Sequence, residues 1–309
     1  MKSYKHIPVL LAEVLNFIPK EAKQICDLTL GGGGHAERML NTCPNASLTG
    51  VDKDKDALKF AGKKLKDYGE RVKLISGSFS SALDGFIDDS VHFDFVLADL
   101  GVSSFQLEAA DRGFSFVNKG PLDMRMNQNG GISAYEVINE FSEKKLVELI
   151  YQLGEERFAR RIVRFIIEAR TKQPIRETTD LTQIILAAIP KKFQKGKIHP
   201  ATKTFQAIRI LVNEELEELK NLIGKLLEVL KPGGRGAVIS FHSLEDRIVK
   251  KAFLNWEKPC QCPPHIPKCI CGLKPKAIRL HKKVIIATDE EKQVNPRSRS
   301  ARLRVIEKL

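Results

Sequence analysis

The sequence predicts an α/β protein in which a Rossmann-like parallel sheet is interrupted by an inserted all-helical domain. Three observations lead to this prediction. Short apolar runs alternate with helical patterns over the first hundred residues, four consecutive glycines at positions 31–34 follow the first run, and the alternation stops between residues 106 and 205. A βαβα rhythm is typical of a parallel sheet with helices on both faces.

The first half of the sheet is predicted from four apolar runs, which are separated by segments of helical spacing. In the second helical segment, for example, Ala57, Ala61 and Leu65 recur on one face. The predicted strands cover residues 24–29, 47–51, 72–76 and 93–97, and the predicted helices cover residues 35–41 and 54–67.

The centre of the chain contains few strand-like runs, and we predict that it forms helices over residues 134–140, 143–153, 155–170 and 180–189. A further helix over 213–230 ends at Lys-Pro-Gly-Gly, which is a typical helix-end and turn signal. The sheet then resumes. Its remaining strands are predicted at residues 236–241, 284–288 and 303–306, with a helix over 244–256, so that residues 1–105 and 206–309 form one discontinuous domain around an insertion over 106–205.

Composition and charge restrict the function classes. The chain has 309 residues, of which 42% are hydrophobic, so it can bury a large core. We find no membrane-spanning run and no signal-peptide pattern, and the uneven cysteines do not suggest a disulfide scaffold, so we expect a cytoplasmic protein. The net charge is +13, and residues 247–309 contain 16 Lys and Arg against 5 Asp and Glu. That segment suggests a polyanionic partner, or a basic tail that only aids solubility.

The glycine run is predicted to hold a nucleotide-like cofactor, because it joins the first strand to the N-terminus of a helix. Asp52 ends the second predicted strand, where its carboxylate can accept both hydroxyl groups of a ribose. Both NAD and S-adenosylmethionine contain such a ribose. Asp27, at the end of the first strand, favours the second cofactor, because an acid suits an ammonium and a sulfonium better than a pyrophosphate.

Several longer motifs then identify a family. The sequence is similar to the RsmH/MraW family of bacterial 16S ribosomal RNA (cytosine-N4) methyltransferases nearly from end to end. The segments that carry the resemblance are DLGVSSFQL from Asp99, RGFSFVNKGPLDMRM from Arg112, GEERFARRI from Gly154, HPATKTFQAIRI from His199, LKPGGR from Leu230, ISFHSLEDRIVK from Ile239 and NPRSRSARLRV from Asn295.

The resemblance implies a class I S-adenosylmethionine-dependent methyltransferase fold with a seven-stranded sheet, and a helical insertion that recognises the substrate. It implies methylation of the N4 amine of a cytidine in the decoding (P-site) region of 16S rRNA within the small ribosomal subunit. S-adenosyl-L-methionine is the implied cofactor. The implied cofactor-binding residues are Gly33, Gly34, His35, Asp52, Phe79, Asp99 and Gln106.

Asp99 is also the candidate catalytic residue. The amine of cytosine is a poor nucleophile, and an acceptor after the fourth strand can orient its lone pair towards the methyl group. We expect no general base, because nitrogen becomes acidic once it is alkylated. His242 could bind the base, although a structural histidine is the more common outcome at such a position.

Basic side chains that could meet RNA phosphates are Lys197, Lys203, Arg209, Arg297, Arg299, Arg302 and Arg304. A separate feature is the spacing C-x-C-x6-C-x-C formed by Cys260, Cys262, Cys269 and Cys271. Four thiolates could hold a structural zinc, but the spacing departs from the usual C-x2-C pairs, so we favour reduced thiols and predict no metal.

Two other functions remain open at this point. The glycine pattern with Asp52 also allows an NAD-linked oxidoreductase, and the basic segment also allows a non-catalytic RNA-binding scaffold. The sequence does not decide between a monomer and a homodimer.

Overall fold

The computed structural model describes residues 7–103, 109–128, 130–196, 198–263 and 270–309. The chain divides into two compact units. The sheet unit contains Met1–Gly101 and Glu217–Leu309, and the helical unit contains Val102–Leu216. The sequence had suggested boundaries after residues 105 and 205. The second boundary lies later because the helix Thr202–Val212 buries Ala207 and Ile208 in the core of the helical unit.

One mixed sheet forms the centre of the sheet unit. Its strands are β1 Gln24–Asp27, β2 Ser47–Asp52, β3 Val72–Ser76, β4 Phe93–Asp99, β5 Leu230–Ser240, β6 Ala277–Arg279, β7 Ile285–Ile286 and β8 Arg302–Lys308. Strands β1 to β5 are parallel, and β8 runs antiparallel to β5, β6 and β7. The order β3-β2-β1-β4-β5-β8-β6, with β7 paired to β8, confirms the predicted class I methyltransferase fold.

Helices cover both faces of this sheet. In β4, Phe95 and Leu97 face one hydrophobic core, whereas Val96 and Ala98 face the other. This alternation follows from the two-residue period of a strand and requires apolar cover on each side. The helices of the sheet unit are α1 Leu11–Asn16, α2 Gly34–Thr42, α3 Lys55–Lys64, α4 Phe79–Asp88, α10 Glu215–Leu226 (which begins in the helical unit), α11 Ser243–Glu257 and α12 Asp289–Val294.

The helical unit has its own hydrophobic core, which contains side chains such as Ile138, Ile150, Ile162 and Ile185. Its helices are α5 Ala134–Glu140, α6 Glu143–Gly154, α7 Ala159–Arg170, α8 Thr178–Ala188 and α9 Thr202–Val212. The predicted helix over 155–170 therefore begins four residues late. Glu155 has a φ of 48°, and the Glu156 carboxylate accepts a hydrogen bond from Phe158 N–H at 2.8 Å, which together form a turn before α7.

Two further details of the sheet differ from the prediction. Strand β5 begins at Leu230, and the Lys-Pro-Gly-Gly segment lies within it, beside an irregularity in its pairing with β4. Gly233 has a φ of 74°, which allows the chain to bend there. Strand β6 was not predicted, and the sheet formed by the described residues has eight strands where the resemblance implied seven. Among the described residues, no helix has the length and apolar character that crossing a bilayer requires.

Candidate active site

The glycine loop joins β1 to α2 at the carboxyl edge of the parallel strands. Gly31 and Gly33 have φ angles of 50° and 72°, a region that favours glycine. Gly33 is also the N-cap of α2. A Cβ atom at this position would lie 3.4 Å from the side chains of Ala61, in α3, and of Leu65, which directly follows α3. The loop therefore needs glycine for its backbone conformation at two positions, and Gly34 is the first residue of the helix.

Asp52 fixes this loop from the end of β2. Its Oδ2 atom accepts a hydrogen bond from Gly31 N–H at 2.7 Å, and its Oδ1 atom accepts one from Asp54 N–H at 2.8 Å. Burial raises the pKa of the Asp52 carboxyl, and these two backbone hydrogen bonds offset part of that rise. The acid thus links two strand ends and stands at the edge where a ligand of this fold binds.

Asp27 and Asp99 end the neighbouring strands β1 and β4. Asp27 is 1% exposed, and burial raises its pKa to about 7, although hydrogen bonding to Thr29 N–H works in the opposite direction. Burial also raises the pKa of Asp99, with further contributions from the charges of Asp27 and Glu245. These carboxyl groups form a buried cluster at the edge of the sheet, in which burial disfavours the ionised forms.

Thr29 holds the two strand ends together. Its N–H donates to Asp27 Oδ1 at 3.1 Å, and its Oγ1 atom accepts a hydrogen bond from Asp99 N–H at 2.6 Å. Asp99 Oδ1 is buried and has no hydrogen-bond partner within the described part of the chain. A buried acceptor without a partner is costly, so this oxygen is the point of the site that most needs a donor from a ligand.

His35 lies beside Asp99 in the first turn of α2. Its Nε2 atom is 3.0 Å from the carbonyl oxygen of Val9, which can only accept, so Nε2 carries the proton. Its Nδ1 atom faces Asp99 Oδ2 at 3.6 Å. The imidazole is 5% exposed. It therefore connects the segment before α1 to the acid after β4.

The remaining predicted cofactor residues differ in how well they are defined. Phe79 is the first residue of α4; it is half-buried and packs against the core on one face of the sheet. Its helix is capped by Ser78, whose Oγ atom accepts a hydrogen bond from Ser81 N–H at 3.2 Å. Gln106 lies outside the described residues.

Glu245 is an acid of this edge that sequence reasoning missed. Its side chain is 2% exposed and accepts a hydrogen bond from Phe241 N–H at 2.8 Å. Together with His242 it forms a capping box at the start of α11, with His242 in the position usually taken by Ser or Thr. The spacing His-Ser-Leu-Glu was the available signal. His242 thus has a structural contact as the N-cap of α11.

A basic groove of about 350 Å³ lies in the sheet unit, where β8 and α11 begin. It combines cationic side chains with small and apolar ones. The residues that line it are Phe241, His242, Ser243, Ile286, Lys292, Arg299, Ser300, Ala301 and Arg302.

The predicted phosphate-binding residues divide into structural and available ones. Arg304 is 10% exposed and makes two hydrogen bonds to Asp246, at 2.7 and 3.2 Å, while Arg302 is 45% exposed and makes one at 3.1 Å. Arg209 likewise makes two hydrogen bonds to Glu215. Arg299 is exposed at the groove.

The other three predicted residues are not among the described residues that line the basic groove. Lys203 donates to the Glu155 carbonyl oxygen at 2.8 Å, which anchors it at the end of α6. Arg297 is exposed in the turn Pro296–Ser300. Lys197 lies outside the described residues.

These features define a class I methyltransferase. The parallel sheet has an antiparallel strand near one edge, a glycine loop follows β1, and β1, β2 and β4 each end in an aspartate. The family model described as "MraW methylase family" matches residues 3–309. The chain belongs to the MraW methylase family, which confirms the resemblance found in the sequence.

Curated relatives cover the whole chain. A protein named ribosomal RNA small subunit methyltransferase H from Pelobacter propionicus is 46% identical over 315 aligned residues, which cover 100% of each chain. Another of the same name from Clostridium botulinum is 47% identical and covers 99% of each. A solved structure of an rRNA methylase from Streptococcus thermophilus aligns with a TM-score of 0.42 at 12% identity, over 96% of this chain and 93% of that one.

Proposed function

We propose that this protein transfers a methyl group from S-adenosyl-L-methionine to the N4 amine of a cytidine in the decoding region of 16S rRNA. The observation that carries the proposal is the cluster of Asp27, Asp52 and Asp99 around the glycine loop, in a chain of the MraW methylase family. The names of the relatives support small-subunit rRNA as the substrate.

The residues around the glycine loop fit S-adenosyl-L-methionine. Asp52 stands at the end of β2, where a carboxylate can accept the ribose hydroxyl groups, and the four glycines of the loop carry no side chain that would keep a cofactor from the backbone. The buried charges of Asp27 and Asp99 suit an ammonium and a sulfonium. A pyrophosphate would add negative charge beside acids whose pKa values are already raised, which argues against NAD. Gly33, Gly34, His35, Phe79 and Gln106 complete the proposed cofactor site.

The sulfonium supplies an electrophilic methyl group without further activation, so the protein mainly supplies orientation. Holding two reactants in line can lower a barrier by roughly 7–11 kcal/mol. We assign this task to Asp99, whose buried Oδ1 atom accepts a hydrogen bond from the amine and directs the lone pair. An ionised carboxylate does this best, and a bound cation would stabilise that form. The alkylated nitrogen then loses its proton to solvent water, without a dedicated base.

RNA binding follows from the same chemistry. A paired N4 amine is not accessible, so the target cytidine has to be unpaired or turned out of its stack. We assign Arg299, Arg302 and Lys292 of the basic groove to the neighbouring phosphates, and the helical unit to recognition of RNA shape. Binding by such contacts weakens steeply as salt rises.

The deciding experiment supplies labelled methyl donor to small ribosomal subunits that lack the modification. We expect one methyl group per subunit, located by mass spectrometry at the N4 atom of a cytidine in the decoding region. Label in the large subunit, at another atom or at another base would reject the proposed specificity. In a parallel titration S-adenosylhomocysteine should bind and NAD should not; the reverse result would favour an oxidoreductase.

A further inference from the structure

Three cysteine side chains lie together in the segment that joins α11 to β6. The Sγ atoms of Cys260, Cys262 and Cys271 all lie within 4.8 Å of one another, and all three residues are reduced. Cys260 is exposed and the other two are half-buried. A cysteine that only fills space is usually fully buried, so core packing does not account for this cluster.

Against the sequence prediction of no metal, we propose that Cys260, Cys262 and Cys271 bind a structural zinc ion. Zinc binds thiolates at about 2.3 Å with tetrahedral geometry, which separates two sulfur ligands by about 3.8 Å. The observed cluster has to contract by no more than about 1 Å to reach that spacing. Soft thiolate ligands without carboxylates select zinc over magnesium or calcium.

The backbone around the three sulfur atoms supports a metal site independently of their spacing. Ile270 N–H donates a hydrogen bond to Cys262 Sγ at 3.3 Å. A donor aimed at a sulfur atom stabilises the thiolate form, as the outer partners of metal ligands do. Gly272 follows Cys271 with a φ of 65°, so the chain turns directly after that ligand. The cysteines are thus held by a shaped backbone.

A zinc ion would also hold together the described parts of this segment, residues 258–263 and 270–276. Its two ends are joined, because Lys276 N–H donates to the Trp256 carbonyl oxygen at 2.9 Å and Arg279 pairs with Glu257 at 2.9 Å. Between them, residues 258–263 and 270–276 contain no helix or strand. Connections this long rarely lack structure of their own.

Apolar burial does not provide that structure in the described part of the segment. Ile270 is 76% exposed and Leu273 is 47% exposed. A metal that closes a long loop stabilises it mainly by restricting the unfolded chain, and binding and folding are then coupled. Cys269 would supply a fourth thiol by sequence; it lies outside the described residues, and the proposal is made on the other three.

The first test is the metal content of the full-length protein, purified under reducing conditions with zinc supplied. Mass spectrometry of the native protein and elemental analysis should find one zinc per chain, and a mercurial reagent should release it. Cobalt in its place should give an intense thiolate-to-cobalt charge-transfer band. Cys260→Ser and Cys271→Ser should each lower the metal content at least tenfold, whereas the control Cys43→Ala should retain it.

A second measurement covers the case in which the serine variants fold poorly. Removing zinc from the wild-type protein should increase proteolytic cleavage within residues 258–276 at least tenfold, and adding zinc back should restore protection. Binding of S-adenosylhomocysteine should persist, which separates this proposal from the proposed function. Less than a tenth of a zinc per chain after reconstitution, an intact mass two daltons low from a disulfide, or full zinc content in both serine variants would overturn it.

Discussion

Asp27 should destabilise the folded protein whenever its carboxyl group is ionised and no cation is bound. Burial raises its pKa from 3.8 to about 7. One pKa unit corresponds to about 1.4 kcal/mol. A shift of about three units therefore costs about 4 kcal/mol of unfolding free energy once the pH exceeds the folded pKa. That is a large fraction of the stability of an ordinary domain.

The pH window follows from the direction of the shift. Between about pH 4 and pH 7 the folded state holds a proton on Asp27 that the unfolded state has released, so the unfolding free energy falls as the pH rises. Asp27→Asn removes the charge and keeps an acceptor for Thr29 N–H. We expect this variant to exceed the wild type by up to about 4 kcal/mol at pH 8 and to match it near pH 4.

Urea unfolding without cofactor, followed by circular dichroism at both pH values, measures this difference. Asp94→Asn is the matched control, because hydrogen bonds from Lys231 and from two backbone N–H groups lower the pKa of Asp94. The ionised Asp94 carboxylate therefore stabilises the folded state at any pH above the pKa that Asp94 has in the unfolded chain. Asp94→Asn should be less stable than the wild type at pH 8. Equal stability of Asp27→Asn and wild type at pH 8, or a difference that pH does not change, would refute the reasoning.

Three further predictions concern binding and catalysis. Asp52→Asn loses one charge-assisted hydrogen bond to the ligand, which is worth about 1.5–3 kcal/mol. Calorimetry should therefore show that binding of S-adenosylhomocysteine is weakened about 10- to 150-fold. The control Asp54→Asn keeps a competent helix cap and should bind the ligand normally. Asp99→Asn should slow methyl transfer about 100-fold. The wild-type rate should fall as the pH drops through the raised pKa of Asp99. A wild-type rate that does not change with pH would contradict the role assigned to Asp99. Arg299→Ala should weaken RNA binding and reduce by about one the slope of log binding constant against log salt concentration. Arg304→Ala should instead lower the unfolding free energy by about 3 kcal/mol. Unchanged RNA binding in Arg299→Ala, with weakened binding in a stably folded Arg304→Ala, would show that the groove does not bind RNA.

The parts of the fold that could be predicted are those with local signals. The first four strands are fully or half-buried apolar runs followed by turns, and the glycine loop needs positive φ angles that few other residues adopt. Strand β6 has only three residues and is held by pairing with β8, which no local pattern indicates. The segment after Leu230 resembles a helix end because Pro and Gly are common there, yet it lies within β5, between Leu230 and Arg235, which both pair with β4.

The site was predictable in part for the same reason. Asp52 and Asp99 follow predicted strands, so their arrival at one edge of the sheet could be expected. The hydrogen bond between Thr29 and Asp99 and the effect of Glu245 on the Asp99 pKa could not be predicted, because each joins residues far apart in the chain. The raised pKa of Asp27 is likewise a product of burial in the folded state, and its residue type alone would suggest an ordinary surface acid.

Stability and cofactor affinity should therefore respond to pH in opposite ways. The backbone hydrogen bonds of Asp52 and Thr29 hold the strand ends in place whether or not a ligand is bound. Burial raises the pKa of Asp27 despite its hydrogen bond from Thr29 N–H, and burial together with the charges of Asp27 and Glu245 raises the pKa of Asp99. Raising the pH from about 4 towards 7 should destabilise the free protein and strengthen binding of S-adenosylmethionine. Binding of S-adenosylhomocysteine, which lacks the sulfonium charge, should change less, and an equal change for both ligands would show that the acids do not recognise that charge.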